Sequence, residues 1–438
     1  MGKYISFGEY NNLYKYIWYY LIVCTIYDYI YDDKFPNQVK LTIFETKNYP
    51  PDIFIQQEFN YLGSFLLSIL IYLTERKQLK GAEKQENAIL KIFIKNSPLN
   101  QKPPSFFEIV IKIMPTACCS ILSLQLINIF LNMGLIGLDY WVFDLFFIAY
   151  VNYLKFGKEI FFHKELAIIF RMISITFFYI ITTYIYLFDN SFNYLYKKYV
   201  FLIPVGIIIY INISLLRNYS LCAIKWLLDY KYISTATFLL IYNFIGTIIL
   251  LISCIISSCV KCVDKSIFNK IDLICKIKIE KDNNIIEYYY DNFSYFFKQL
   301  WREDKDIGLN ILYIILFIFK IILFFIKTLI SILTIKHLNP EFFLCAFEMK
   351  YCITRIVDLI TAIILNKYIL LKTCNVLAEI FSAIGVLIYL ELIELKFCKL
   401  DYNLKRNIEL RSLDDCKHNH INTFDDESQS CNYEKIYN

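Results

Sequence analysis

The feature that most limits what this chain can become is a series of apolar runs, each close to the thickness of a bilayer core. A helix needs about 20 apolar residues to cross roughly 30 Å of hydrocarbon. Ten stretches meet or approach that length, near 14–31, 54–75, 107–133, 137–154, 165–187, 199–217, 234–259, 307–334, 341–366 and 373–395. Unpaired backbone groups are costly in lipid, so these runs must be helical; the alternating ten-residue strands of a membrane barrel are absent. The expected class is therefore all-α: a polytopic membrane helical bundle of about ten transmembrane helices. Composition agrees, because 57% hydrophobic and 19% charged residues over 438 positions, with a mean hydropathy of +0.45, exclude an ordinary soluble globule and a disordered chain.

Basic residues in the short loops set the expected orientation. The segment between the second and third runs, "RKQLKGAEKQENAILKIFIKNSPLNQK", is strongly basic. Lys155, Lys158 and Lys164 lie between runs four and five, Arg217, Lys225 and Lys231 between six and seven, and Lys396, Lys399, Lys405, Arg406 and Arg411 follow the tenth. Lys34, Lys40, Lys47, Lys197 and Lys198 count the other way. The balance puts both termini in the cytosol. Residues 260–306 then form a translocated loop, with Asn292-Phe-Ser294 as a glycosylation acceptor pattern.

Each half of the chain has two runs, a long polar segment (76–106 or 260–306) and three closely spaced runs. An odd number of spans per half inserts the second half upside down, the arrangement of inverted-repeat transporters. The expected division is a first five-helix half at 1–190, a second at 191–398, and a polar, disordered cytosolic tail at 399–438.

Three stretches carry a family resemblance. "PTACCSILSLQLINIFLNMGLIGLDYWVF" with "NYLKFGKEIFFHKELAII", then "LLRNYSLCAIKWLLDYKYISTATFLLIYNFIGTIIL", then "TIKHLNPEFFLCAFEMKY" with "AEIFSAIGVLIYLELIEL", together cover most of 107–395. In order and spacing they resemble the drug/metabolite transporter superfamily, in its solute-carrier branch that includes the nucleotide-sugar transporters. The resemblance implies a ten-helix bundle of two inverted five-helix halves and alternating-access exchange of a sugar nucleotide for a monophosphate. It also implies a eukaryotic internal membrane of the Golgi, ER or vacuolar kind. Lys350 falls where that branch often has a substrate-facing base, Gly157-Lys158 matches the end of the fourth span, and Gly246 matches the seventh-span glycine. The chain departs from the pattern at Gly63-Ser64, Trp141 and Tyr242, where relatives often carry acidic, basic and acidic residues respectively.

The ninth run contains "EMKYCITRIVD", four charges inside an otherwise apolar span. At about 100° per residue, Glu348, Arg355 and Asp358 share a stripe about 80° wide and Lys350 stands on another side. A charge near the bilayer centre costs about 2.5–3.5 kcal/mol on insertion scales, so such residues face a bundle interior or a watery cavity. One reading is a substrate- or proton-binding cleft; the other is a structural Arg355–Asp358 clasp with Lys350 snorkelling. Asp144 is either a counter-charge to Arg355 or Lys350, or a solvated interface residue. Lys320 and Lys327, seven apart, are a basic cavity wall or two more snorkelling lysines. Glu58 and Glu379 are candidate proton or cation positions, and Asn128 and Asn132 fit helix–helix hydrogen bonding.

Catalysis is not expected: four histidines and no H-E-x-x-H, G-x-S-x-G or P-loop pattern leave no catalytic constellation. The 14 cysteines sit mostly in apolar runs, and Cys259-x-x-Cys262 lacks the second pair a zinc site requires. No metal or cofactor is expected, and a net charge of +5 without a basic aromatic helix does not suggest a nucleic-acid partner. The expected partners are a small anionic or phosphorylated solute and the lipid bilayer. The rival expectation is a diverged scaffold that keeps the bundle without transport.

Overall fold

The computed structural model describes residues 5–7, 18–24, 53–93, 106–132, 144–157, 160–173, 203–229, 233–259, 277–281, 285–289, 307–338, 340–366 and 369–396, with a few single residues beside them. These segments are overwhelmingly helical. The long helices are α1 (Ile53–Phe93), α2 (Phe106–Asn132), α3 (Asp144–Phe156), α4 (Ile203–Asp229), α5 (Thr235–Cys259), α6 (Ile307–His337), α7 (Pro340–Leu365) and α8 (Ile369–Tyr389). Shorter helical turns cover 18–24 and 162–173.

Four helices among the described residues are long and apolar enough to cross a membrane: Phe107–Leu126, Thr235–Cys259, Asn310–His337 and Ile369–Tyr389. They mark a membrane protein, and its exposed side chains agree. Ile364, Leu370 and Ile363 are 77%, 67% and 55% exposed, an outward surface that water would penalise and lipid would not.

Two helices run past the ends their apolar runs set. The 54–75 run continues as α1 to Phe93, because "RKQLKGAEKQENAILKIF" is rich in good helix formers. The 199–217 run continues as α4 to Asp229, so Arg217 and Lys225 lie on a helix rather than in a loop. Nothing in "RNYSLCAIKWLLD" breaks a helix: it has no glycine or proline, and its apolar positions keep a helical period. Where α3 does stop, Gly157 takes φ +62° and its N–H donates to the Tyr153 carbonyl at 2.9 Å, a left-handed cap that favours glycine. Ser234 starts α5 by accepting the Thr237 N–H at 3.1 Å.

The chain divides into two compact units. The first contains Met1–Leu21, Leu138–Cys222 and Leu338–Asn438; the second contains Ile22–Gly137 and Ala223–His337. Each therefore takes helices from both halves of the chain.

In the second unit, α1 and α5 pack antiparallel. Glu75 accepts the Ser234 hydroxyl at 3.0 Å, Ser68 accepts from Asn243 at 2.8 Å, and Tyr61 lies over Gly246. A Cβ at Gly246 would run into the Tyr61 ring, so the close crossing requires glycine. Alongside them α6 runs parallel to α1, with Phe59 near Phe317 at 5.7 Å and Gly63 against Ile321. Helix α2 packs on α5, where the Ser120 and Tyr242 hydroxyls are 2.8 Å apart. A two-stranded hairpin, β2 (Ile277–Lys281) with β3 (Ile285–Tyr289), occupies part of the segment expected to be a loop.

In the first unit, α3 and α4 run parallel, bonded from Asp144 to Ser214 and Asn218 and from Asn152 to Cys222. Helices α7 and α8 form an antiparallel hairpin. The 162–173 helix packs antiparallel on α8, where a Cβ at Gly385 would stand 3.0 Å from Arg171 Cβ and 3.2 Å from the Ala167 carbonyl. Strand β1 (Ile5–Phe7) pairs antiparallel with β4 (Ile393–Leu395).

Most of the 14–31 run, most of 174–202, Asn292 and Ser294 of the glycosylation pattern, Cys262, Trp141, Lys158 and the bulk of the 399–438 tail lie outside the described residues, as do the side chains of Glu348, Asn128 and Asn132.

Candidate functional site

The polar interior of the first unit holds three groups of side chains. The first spans α7 and α8. Arg355 lies 4.0 Å from Asp358 on its own helix and 4.0 Å from Glu379 on α8, while Lys372 Nζ reaches Asp358 at 3.7 Å. The Cys352 thiol points at the Glu379 carbonyl, 3.3 Å away. Among the described side chains, two bases thus face two acids. Sequence spacing anticipates the Arg355–Asp358 pair; the structure adds Glu379 to it. It also adds Lys372, which the apolar run had left in a loop and which belongs to α8.

The second group is built on Asp144 at the start of α3. Its carboxylate, 1% exposed, accepts from the Ser214 hydroxyl, from Asn218 Nδ2 at 2.7 Å and from Arg217 at 3.2 Å. Three donors from one stretch of α4 hold a single acid. The expectation that Asp144 balances Arg355 or Lys350 is corrected by these partners. Once α4 continues through Arg217, a base lies within reach on the neighbouring helix, and burial at 1% also removes the solvated alternative.

Eight residues further along α3, Asn152 donates to Glu341 at 2.6 Å and lies 3.2 Å from the Cys222 thiol. Asp144 and Asn152 on α3, with Ser214, Asn218 and Cys222 on α4, repeat at the four-residue spacing that keeps one helix face together. The result is a polar seam between two apolar helices.

Of the remaining predicted residues, Lys350 is on α7 and 8% exposed, and the Thr354 hydroxyl bonds back to its carbonyl at 3.1 Å. Lys320, on α6, belongs to the second unit and is half-buried, as is Lys327. Glu348 has a described position on α7 only in its backbone.

Sequence reasoning missed Arg171, the largest fully buried side chain described, at 0% exposed. Its signal was available: "ELAIIFRMISITFF" places one arginine in an apolar run, as the ninth run places Arg355. It also missed the pair of His163 and Glu391 at 3.2 Å, which only the fold brings together across 228 residues. No group of three or more His, Cys, Asp or Glu side chains is placed to hold a metal among the described residues.

Set against known proteins, the chain matches no family model and gives no significant match to a curated protein.

Proposed function

We propose that this chain is a multi-pass transporter that moves a polar, anionic or phosphorylated organic solute by alternating access, with ten spans in two inverted five-helix repeats. The observation that carries the reading is the buried charge of the first unit. Arg171, Lys350 and Asp144 are 0%, 8% and 1% exposed in helices whose outer faces suit lipid. Placing ionisable groups inside a membrane bundle costs several kcal/mol, and such groups usually serve a transported ligand or ion.

The pairing of helices supports the inverted repeat. With the spans numbered in chain order, α1 and α5 are the second and seventh, and the 162–173 helix and α8 are the fifth and tenth. Both pairs run antiparallel, as an in-plane twofold requires. Packing of α6 on α1 has its counterpart in packing of α2 on α5. The α3–α4 contact has its counterpart in Tyr20 against Phe343, whose rings are 5.0 Å apart.

In this mechanism Lys350 and Arg355 attract the solute's negative charge, and Arg355 is released from Asp358 and Glu379 as the solute arrives. Long contacts of 4.0 Å suit a base that changes partners. Uptake of nucleotide sugars, nucleotides and phosphorylated metabolites into proteoliposomes tests the proposal. Uptake of one class, abolished in Lys350→Ala with normal membrane insertion, supports it; no uptake of any candidate refutes it. The internal-membrane location belongs to the same proposal, and imaging of a fluorescent fusion checks it.

A second reading, a non-transporting scaffold, is favoured by one feature. Among the described side chains, Arg355 and Lys372 lie against Asp358 and Glu379, as the two sides of a structural clasp would. Under that reading, substitutions in the clasp lower stability and leave no transport defect to measure.

A further inference from the structure

One stripe of α1 changes character where the membrane ends. At about 100° per residue, Leu66, Leu70 and Leu73 fall on one arc of the helix, and they are 57%, 61% and 47% exposed. The positions bonded to α5, Ser68 and Glu75, lie on the opposite side. Beyond Leu73 the helix runs on without a break to Phe93. The same arc, about 80° wide, there holds five positions: Lys77, Lys80, Lys84, Ala88 and Lys91. Every lysine of the extension is on it, and Glu75, Glu83 and Glu86 fall at least about 100° from its centre.

The switch from leucine to lysine comes at the end of the apolar spans. Ser234 donates to Glu75 at 3.0 Å immediately before α5 begins, and Lys336, one residue before α6 ends, donates to Thr235 at 3.2 Å. Both helices are long and apolar enough to cross the membrane, so hydrocarbon stops at this level. Lys231, three residues before Ser234, lies over the Trp226 ring at 4.8 Å, a pairing that suits headgroup depth. Lys77 is exposed two residues past Glu75, and position 84 is about 10 Å further along the helix axis. That stretch lies within about one Debye length of a charged surface at 0.1 M salt. It belongs to the basic segment that the loop charges assign to the cytosol, the side of the membrane where anionic lipids concentrate.

We propose that this stripe of α1 binds an anionic phospholipid of the surrounding membrane, with its acyl chains along Leu66, Leu70 and Leu73 and its headgroup at Lys77, Lys80 and Lys84. The continuity of the stripe decides the occupant. A soluble phosphate has no use for three exposed leucines, and an acidic protein would meet the lysines but not the apolar track that leads into them. A zwitterionic lipid fits the track equally well, so the lysines confer a preference for net negative charge. This site lies apart from the buried charges of the first unit, and its test is binding rather than transport.

The experiment is thermal unfolding of the purified full-length protein in mixed detergent micelles that contain phosphatidylserine or phosphatidylcholine. A ligand of the folded state raises the unfolding midpoint, so the expected result is a higher midpoint with phosphatidylserine. The excess should shrink when NaCl is raised from about 0.1 M to about 1 M, which cuts the Debye length to about 3 Å. A triple variant, Lys77→Gln with Lys80→Gln and Lys84→Gln, loses the excess, and Lys396→Gln, at an exposed base of the first unit, keeps it. Equal midpoints in the two lipids would overturn the proposal, as would an excess that survives the triple variant or vanishes in Lys396→Gln. Glycerophosphoserine, the headgroup without chains, should give no rise; a rise matching that of the lipid would assign the lysines to a free phosphate and overturn the lipid site. If the triple variant does not fold, Lys77→Gln, a single exposed change, decides alone: a smaller excess supports the site and an unchanged one refutes it.

Discussion

Where Asp144 meets Arg217 at 3.2 Å in the first unit, the comparable interior of the second unit has Asn243 meeting Ser68 at 2.8 Å. Among the described residues, the first unit buries Asp144, Arg171, Glu341, Lys350, Glu379 and Glu394, and the second buries one charged side chain, Glu58. Both stitch apolar helices together through polar atoms, but the energetics differ. A neutral interhelical hydrogen bond in a membrane is worth about 0.6 kcal/mol, because the separated helices find other partners. A buried ion pair contributes little net stability, yet breaking it strands a charge at about 3–5 kcal/mol. One unit should therefore be intolerant of single changes in its polar interior, and the other forgiving.

The largest expected effect tests that asymmetry directly. Asp144→Leu removes the buried acceptor shared by Ser214, Arg217 and Asn218 and should lower stability by about 3–5 kcal/mol, seen as loss of monodisperse protein in fluorescence-detected size exclusion. Adding Arg217→Leu should recover most of the loss, and failure to recover would break the ion-pair account. Next comes Gly385→Val, which drives side-chain atoms into Arg171 and the Ala167 carbonyl. A cost of about 1–3 kcal/mol is expected, read as a lower unfolding midpoint, with Gly308→Val, in open space, as the mild control. Ser234→Ala removes the cap of α5 and a bond to Glu75, for about 1 kcal/mol in the same assay. The smallest effect is Asn243→Leu, which removes the bond to Ser68, about 0.6 kcal/mol. A loss there as large as that of Asp144→Leu would erase the distinction between the units.

Sequence alone located the helices best where the apolar run is closed at both ends. The run at 234–259 became Thr235–Cys259, and 341–366 became Pro340–Leu365. It failed where a helix outlasts its hydrocarbon, because α1 and α4 continue on propensity and tertiary contact that a hydropathy window does not weigh. The site was legible to a similar degree. Helical spacing found Arg355 with Asp358, a pair three residues apart on one helix. Asp144 with Arg217, 73 residues apart, and Asn152 with Glu341, 189 apart, depend on which helices touch, and periodicity within one helix carries no such information. Arg171 was legible and was overlooked, since it stands alone in its run while the ninth run displays four charges at once.

The short ladder joining Ile5–Phe7 to Ile393–Leu395 restricts every account of how the chain threads a bilayer. Backbone hydrogen bonds between two strands cannot be strung through hydrocarbon, so both segments occupy one aqueous compartment. The polypeptide between them must then traverse the membrane an even number of times. Reporter fusions just ahead of residue 5 and just past residue 396 should light up in the same compartment, and any topology with an odd tally of crossings is ruled out by two three-residue strands.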